Sequence, residues 1–178
     1  MYGNKDEPKL PYFLITNVES LRIKEGRKYP FTEMIIDMIQ SGKLNMIIID
    51  EIHKNMSPTS MQGKQMLKIK KATGSSCMYL PMTGTPIVKK PTDAFLPLKL
   101  VDAHNFNSYY TWCKEFCVYG GYGGYEILGY KNIPKLKAML QCNMIRRLKS
   151  QVLDLPPVIK FDEYVENTQY QQKLYDSV

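Results

Sequence analysis

Asp50, Glu51 and His53 follow directly on the apolar run Met46-Ile47-Ile48-Ile49. Two carboxylates and an imidazole at one point of a chain can hold a divalent cation, orient a water molecule and relay a proton. Charge is costly to bury unless it is paired or bound to metal, so acids at the end of an apolar run suggest a site. In nucleotide hydrolases an acid at such a strand end holds the Mg2+ of a nucleoside triphosphate. A surface turn after a core strand would have the same composition. A second polar group, Thr83-Gly84-Thr85-Pro86, follows another apolar run, Cys77-Met78-Tyr79-Leu80. Gly84 permits an unusual backbone conformation and Pro86 fixes the exit. If the two runs are neighbouring strands, the Thr83 and Thr85 hydroxyls share a sheet edge with Asp50 and Glu51.

The elements that must position these residues read as an α/β arrangement. Met46–Ile49, with three β-branched residues, reads as a strand buried on both faces, and open α/β sheets bind ligands beyond the C-terminal ends of such strands. Thr32 to Gln40 reads as a helix with Met34, Ile35, Met38 and Ile39 on one face, ended by Ser41-Gly42. Tyr12 to Thr16 reads as a short strand, and Asn17 to Leu21 turns into a helix capped by Asn17 or Ser20. Ser57-Pro58 reads as the start of the next helix, which carries Lys64, Lys68, Lys70 and Lys71 and ends before Gly74. That basic face suits either solvent or DNA. Strand and helix alternate up to Pro97, as in a parallel sheet.

Beyond Leu98 the character changes. Aromatics gather from Phe106 to Tyr130, and five glycines interrupt them between Gly120 and Gly129. Such aromatics can stack on single-stranded bases. Tyr109, Trp112 and Phe116 follow helical spacing, which indicates core, and the Gly-Tyr stretch reads as a flexible connection between helices. Ile133 to Leu140 and Met144 to Val152 read as two further helices. Leu155-Pro156-Pro157 breaks the second. Val158 to Glu166 reads as a strand returning to the sheet, with Ile159, Phe161 and Val165 inward.

The ordered set resembles the Swi/Snf-like branch of superfamily-two helicases and translocases. The strand-end Asp50-Glu51-Ile52-His53 is followed some thirty residues later by Thr83-Gly84-Thr85-Pro86-Ile87. That turn runs into Lys90-Pro91-Thr92-Asp93-Ala94-Phe95-Leu96-Pro97. Met144-Ile145-Arg146-Arg147-Leu148-Lys149 resembles the family's double-arginine segment, and Tyr170-Gln171-Gln172-Lys173-Leu174-Tyr175 the stretch before the second motor lobe. The resemblance covers nearly the whole chain. It implies a DNA-dependent ATPase that uses Mg2+ and ATP on double-stranded DNA. It implies a partial RecA-like parallel sheet of the P-loop NTPase type, with helices on both faces and a helical insertion. The implied boundaries are 1–97 for a partial N-terminal RecA-like lobe, 98–152 for a helical protrusion, and 153–178 for the return strand and linker. By resemblance Asp50 would hold Mg2+ through water, Glu51 would orient and deprotonate the attacking water, and His53 would couple nucleotide state to Thr83, Gly84 and Thr85. Thr16, Arg146 and Arg147 would lie toward nucleic acid; a solvated or inter-lobe face is the other reading for the two arginines. The family commonly has a small residue where Ile52 stands, so Ile52 is expected to pack into the core. It often has Asn just after the Thr-Gly-Thr-Pro turn, where this chain has Lys89 and Lys90.

The 178 residues contain no Gly-x-x-x-x-Gly-Lys-Ser/Thr phosphate loop. The resemblance therefore implies an internal piece of a motor, without its second RecA-like lobe and inactive alone. A formal charge of +7 and a pI near 9.1 fit attraction to phosphate backbones, or a mildly basic protein of another kind. A 44% hydrophobic share can supply a core. No stretch approaches the roughly twenty apolar residues a bilayer requires, and the N-terminus has no signal-peptide core, so an intracellular protein without a membrane partner is expected. Cys113, Cys117 and His104 could hold zinc, although packed, reduced thiols are the ordinary state of such cysteines. Two other classes fit: a catalytically inert DNA- or protein-binding module descended from such a motor, and a metal-dependent nuclease using Asp50, Glu51 and His53.

Overall fold

The first helix, α1 (Pro30–Gln40), begins with proline, whose fixed φ suits a first turn that needs no N–H partner. Its buried residues are Thr32, Ile35, Ile36 and Ile39. The inward stripe is thus rotated from the expected one: Met34 is exposed and Ile36 takes its place. Gly42 leaves the helix at φ 70°, where its N–H bonds the Ile39 carbonyl. A computed structural model describes residues 13–54, 57–152, 154 and 160–177.

Strand β1 (Met46–Ile49) pairs in parallel with β2 (Met78–Pro81), Met46 opposite Met78 and Ile49 opposite Pro81. Between them runs α2 (Met61–Thr73), which completes a strand-helix-strand unit. Ser60 caps α2, its hydroxyl accepting from the Gly63 N–H at 3.1 Å. The helix therefore starts at Met61, later than Ser57-Pro58. The Ser57 carbonyl is taken instead by the N–H and hydroxyl of Ser60, which closes a turn ahead of the helix. Its last turn ends at Gly74, as expected.

Side chains alternate across a strand. Ile49 and Tyr79 are buried and Ile47 packs on the same cluster, while Ile48, Met78 and Leu80 are 42–64% exposed. The expectation of burial on both faces is not met for β1: among the described residues only one face of the strand pair is covered. The covered face packs with Ile35, Ile39, Met66, Ile69, Leu96 and Leu100. Each fully buried side chain of this size contributes about 1.5–3 kcal/mol.

Helix α3 (Phe95–Val101) divides its residues between two cores. Leu96 and Leu100, one turn apart, enter the first, and Phe95 and Leu98 enter a second with Phe106, Trp112, Phe116 and Leu136. The second core contains most of the aromatics that helical spacing assigned to packing. Trp112 and Phe116 lie on α4 (Tyr109–Phe116), their rings 4.6 Å apart, and Trp112 donates from Nε1 to the Pro91 carbonyl at 3.2 Å.

The Gly-Tyr stretch is not a flexible helix connection. It forms an antiparallel hairpin of β3 (Cys117–Gly120) and β4 (Glu126–Tyr130). Three glycines at positive φ, Gly121, Gly123 and Gly124, turn the chain between the strands. Helix α5 (Ile133–Asn143) follows as expected. Residues 144–148 are not helical; only α6 (Lys149–Val152) forms in the stretch read as a second helix.

The chain divides into compact units at Met144/Ile145. In the second unit, the return strand expected over 158–166 is absent from its described part. Residues 160–166 have no regular structure, and Phe161 and Val165 are more than 80% exposed. Val158, Ile159 and the Leu155-Pro156-Pro157 break lie outside the described residues. The expected strand at 12–16 also does not form over residues 13–16, where Phe13 and Ile15 are exposed; Tyr12 lies outside the described residues. A strand needs a partner ladder, and the described part of neither segment has one. Helix α7 (Gln169–Tyr175) starts in a reciprocal cap between Thr168 and Gln171.

Candidate functional site at the ends of two parallel strands

The pairing of β1 with β2 brings the two polar turns together. Beyond the strands, the Met82 N–H donates to the Ile49 carbonyl at 2.8 Å and the Ile52 N–H to the Met82 carbonyl at 3.1 Å. The Asp50-Glu51 turn is thereby tied to the entrance of the Thr83-Thr85 turn. Ile52 is 2% exposed and packs in the first core, so it anchors the turn.

Glu51 adopts a left-handed backbone at φ 48°. For a residue with a Cβ this costs about 1–2 kcal/mol. The flanking ladder bonds offset the cost, as does the Glu51 N–H, which donates to Asp50 Oδ1 at 2.9 Å. Strain of this kind gathers at sites where a side chain must point a particular way. The exposed Asp50 carboxylate has no other hydrogen bond among the described residues.

His53 joins the two turns. Its Nδ1 lies 2.6 Å from Thr83 Oγ1 and 3.1 Å from Glu51 Oε2. Thr83 Oγ1 also accepts from the Thr85 N–H at 3.0 Å. The carboxylate favours a proton on Nδ1, which then donates toward Thr83; with the proton on Nε2, the Thr83 hydroxyl donates instead. Glu51 Oε2 is shielded from solvent although the side chain as a whole is 44% exposed, and it makes no well-aligned hydrogen bond. Its approach to His53 is therefore electrostatic, and this buried acceptor has room for a further donor such as a water molecule.

Of the residues singled out in the sequence, Asp50, Glu51, His53, Thr83, Gly84 and Thr85 converge on these two adjacent turns. Gly84 is not in a left-handed conformation, and a Cβ there would meet nothing within 4 Å, so the fold itself does not require glycine at that position. Thr16 is exposed, its hydroxyl bonded to the Asn17 carbonyl and to Ser20, while Asn17 caps a 3-10 turn (Val18–Arg22). Arg146 and Arg147 are exposed and belong to the second unit. Asp93, to which the sequence reading gave no role, accepts from the N–H groups of Lys89 and Lys90 at 2.9 and 3.1 Å. It fixes the chain just after the Thr-Gly-Thr-Pro turn; an acid three residues after Lys90 was the signal. Cys113 and Cys117 are buried, and among the described residues no three His, Cys, Asp or Glu side chains gather around a common metal position.

A strand-helix-strand unit with an acidic turn at one strand end and a hydroxyl turn at the next is a partial RecA-like α/β fold. The family model described as SNF2-related domain matches residues 13–178, and the chain belongs to that family. It is a Swi/Snf-like member of superfamily two. It is 27% identical over 134 residues to the "DNA annealing helicase and endonuclease ZRANB3" of Mus musculus, covering 72% of this chain and 12% of that protein. It is 29% identical over 133 residues to a Caenorhabditis elegans homolog of the SWI/SNF-related matrix-associated actin-dependent regulator of chromatin subfamily A-like protein 1, covering 71% and 19%. The Drosophila melanogaster protein of the latter name is 26% identical over 155 residues, covering 82% and 20%. The chain thus spans between an eighth and a fifth of the length of these relatives. No solved structure matches it significantly. Among the described residues no helix is long and apolar enough to cross a membrane.

Proposed function

We propose that this chain forms part of the first lobe of a DNA-dependent ATPase motor, and that the paired strand ends are its nucleotide-sensing edge. The observation that carries the reading is the bond between His53 and Thr83, which links an acidic strand end to the hydroxyl turn of the neighbouring strand. The oxygen donors suit Mg2+, a hard cation that keeps several waters, and the exposed Asp50 carboxylate is the group to hold it. Bound there, Mg2+ would neutralise charge on the phosphates of ATP. Glu51, held by its left-handed backbone, orients the attacking water and takes its proton. His53 senses the resulting change of charge on Glu51 and passes it to Thr83, whose hydroxyl also holds the Thr85 N–H.

On this reading turnover requires a phosphate loop and a second lobe, which the 178 residues do not supply, and this chain alone hydrolyses ATP negligibly. The substrate surface is double-stranded DNA, toward which Thr16, Arg146 and Arg147 are assigned. The test is ATP turnover, with and without duplex DNA, in a protein that joins this chain to both missing parts. Thr83→Ala with Thr85→Ala should lower DNA stimulation more than basal hydrolysis. Equal loss of both rates would separate the turn from coupling. Robust DNA-stimulated turnover by this chain alone, abolished by Glu51→Gln, would contradict the requirement for the missing parts.

A further inference from the structure

The hairpin between α4 and α5 is the feature that neither the motor reading nor the core explains. Its strands and tip hold Tyr119, Tyr122, Tyr125 and Tyr130, all at least 43% exposed; Tyr122 is 101% and Tyr125 86% exposed. Leu128 adds a further 65% exposed apolar side chain. Apolar surface gathered in this way marks an interaction site rather than a packing choice.

The hairpin is a built element. Its root is tied to α4, because the Lys131 N–H donates to the Phe116 carbonyl and Asn132 Nδ2 to the Glu115 carbonyl. Its tip is fixed by glycines. A Cβ on Gly121 would lie 2.4 Å from Glu126 Oε2, and one on Gly120 would lie 2.4 Å from Leu128. The same contact folds Glu126, the only charged residue between Cys117 and Tyr130, back against the turn. The other nearby acid, Glu115, is paired with Lys135. Among the described residues Lys114, Lys131 and Lys137 form no salt bridge; Lys114 lies over the Tyr110 ring. The surface is therefore aromatic at the tip and basic at the root.

We propose that this hairpin is a stacking platform for single-stranded nucleic acid, with Tyr122 and Tyr125 receiving bases and the root lysines attracting the phosphates. Every base offers a π face, so tyrosines at a projecting tip bind bases without regard to sequence. A duplex hides those faces inside its stack, and so the unpaired strand is the ligand. The inference shares only a nucleic-acid partner with the motor reading and does not depend on the acidic strand end.

The test is fluorescence anisotropy of a labelled oligothymidylate of roughly 20 nucleotides, long enough for several stacked bases. A duplex of equal length serves as comparator, at fixed low salt without nucleotide. Loss of one stacked base should weaken binding roughly 5- to 150-fold. Tyr122→Ala with Tyr125→Ala should therefore weaken single-strand binding at least about 10-fold, with duplex affinity within about twofold. The pair Tyr122→Phe with Tyr125→Phe, which keeps both rings, should bind single strands within about twofold of the unaltered chain. Both tyrosines are exposed, so circular dichroism of the variants should match the parent. Single-strand binding within twofold for the alanine pair would overturn the proposal, as would an equal loss on duplex or failure of the parent to bind single strands. The last result would include the case of a protein partner for the hairpin. None of these outcomes alters the turnover of a Glu51→Gln motor, so the two readings fail separately.

Discussion

Replacing His53 should unlink the two strand ends, and a double-mutant cycle with Thr83 measures the link. His53→Ala removes the 2.6 Å bond to Thr83 Oγ1 and the 3.1 Å approach of Nδ1 to the shielded Glu51 Oε2. The lost bond is worth about 0.5–1.5 kcal/mol. The His53 side chain is only 18% exposed, so lost packing adds to this. Thr83→Val keeps the shape but removes the hydroxyl shared by His53 and the Thr85 N–H, at about 1 kcal/mol. Because both changes remove the same bond, the pair should cost less than the sum by about 0.5–1.5 kcal/mol. The assay is urea unfolding followed by Trp112 fluorescence, since the single tryptophan is buried in the same compact unit. With m near 1–3 kcal/mol/M, a loss of 1 kcal/mol moves the midpoint by about 0.3–1 M. Additivity within about 0.3 kcal/mol would refute the coupling and leave two turns that are merely adjacent.

Other expectations follow from packing and titration. Leu96→Ala removes a side chain with no exposure from the first core and should cost about 2–5 kcal/mol by urea unfolding. Gly63→Ala and Gly84→Ala should differ sharply in the same assay. A Cβ on Gly63 would lie 1.8 Å from the Ser57 carbonyl oxygen, which must move at about 1–3 kcal/mol, whereas one on Gly84 meets nothing and should stay within about 0.5 kcal/mol. Burial pushes the Tyr79 hydroxyl up to about 12 against the Thr73 bond that pulls it down. The folded state then keeps a proton that the unfolded chain releases from about pH 10, so this contribution to stability is full below pH 10 and falls as pH rises toward 12. Tyr79→Phe should flatten that part of the stability-pH curve, and an unchanged slope would count against the assignment.

The parts of the fold that could be read in advance were those with strong local signals. Met46–Ile49 and Cys77–Leu80 announced themselves as short apolar runs, and the helix between them agreed with a parallel pairing, whose register the structure supplies. Ile52, expected in the core as a bulky departure from the small residue the resemblance implies there, is indeed buried. The failures have a common physical cause: short segments whose structure depends on partners. Residues 13–16 and 160–166 have strand composition but no ladder in the described structure. The hairpin was hidden because its glycines, read as flexibility, are turn residues with positive φ that fix a register. The α2 start was misplaced by three residues because Ser57-Pro58 and Ser60 both carry helix-start chemistry, and only the Gly63 approach to Ser57 separates them. The neighbouring of the two polar turns was legible, but the left-handed Glu51 and the shared Nδ1 contact were not, since neither leaves a compositional trace.

The most direct measurement compares Glu51→Gln with Asp50→Asn in a motor that joins this chain to a phosphate loop and a second lobe. Both ATP turnover and Mg·ATP affinity are read with duplex DNA present. Gln keeps the size and one acceptor of Glu51 but cannot take a proton near neutral pH, so turnover should vanish while affinity stays within a few-fold. Asn removes charge where the metal is assigned, so affinity should fall along with turnover. Near-normal turnover in the Glu51→Gln protein would show that the strand-end acids are structural and would contradict the roles assigned to them.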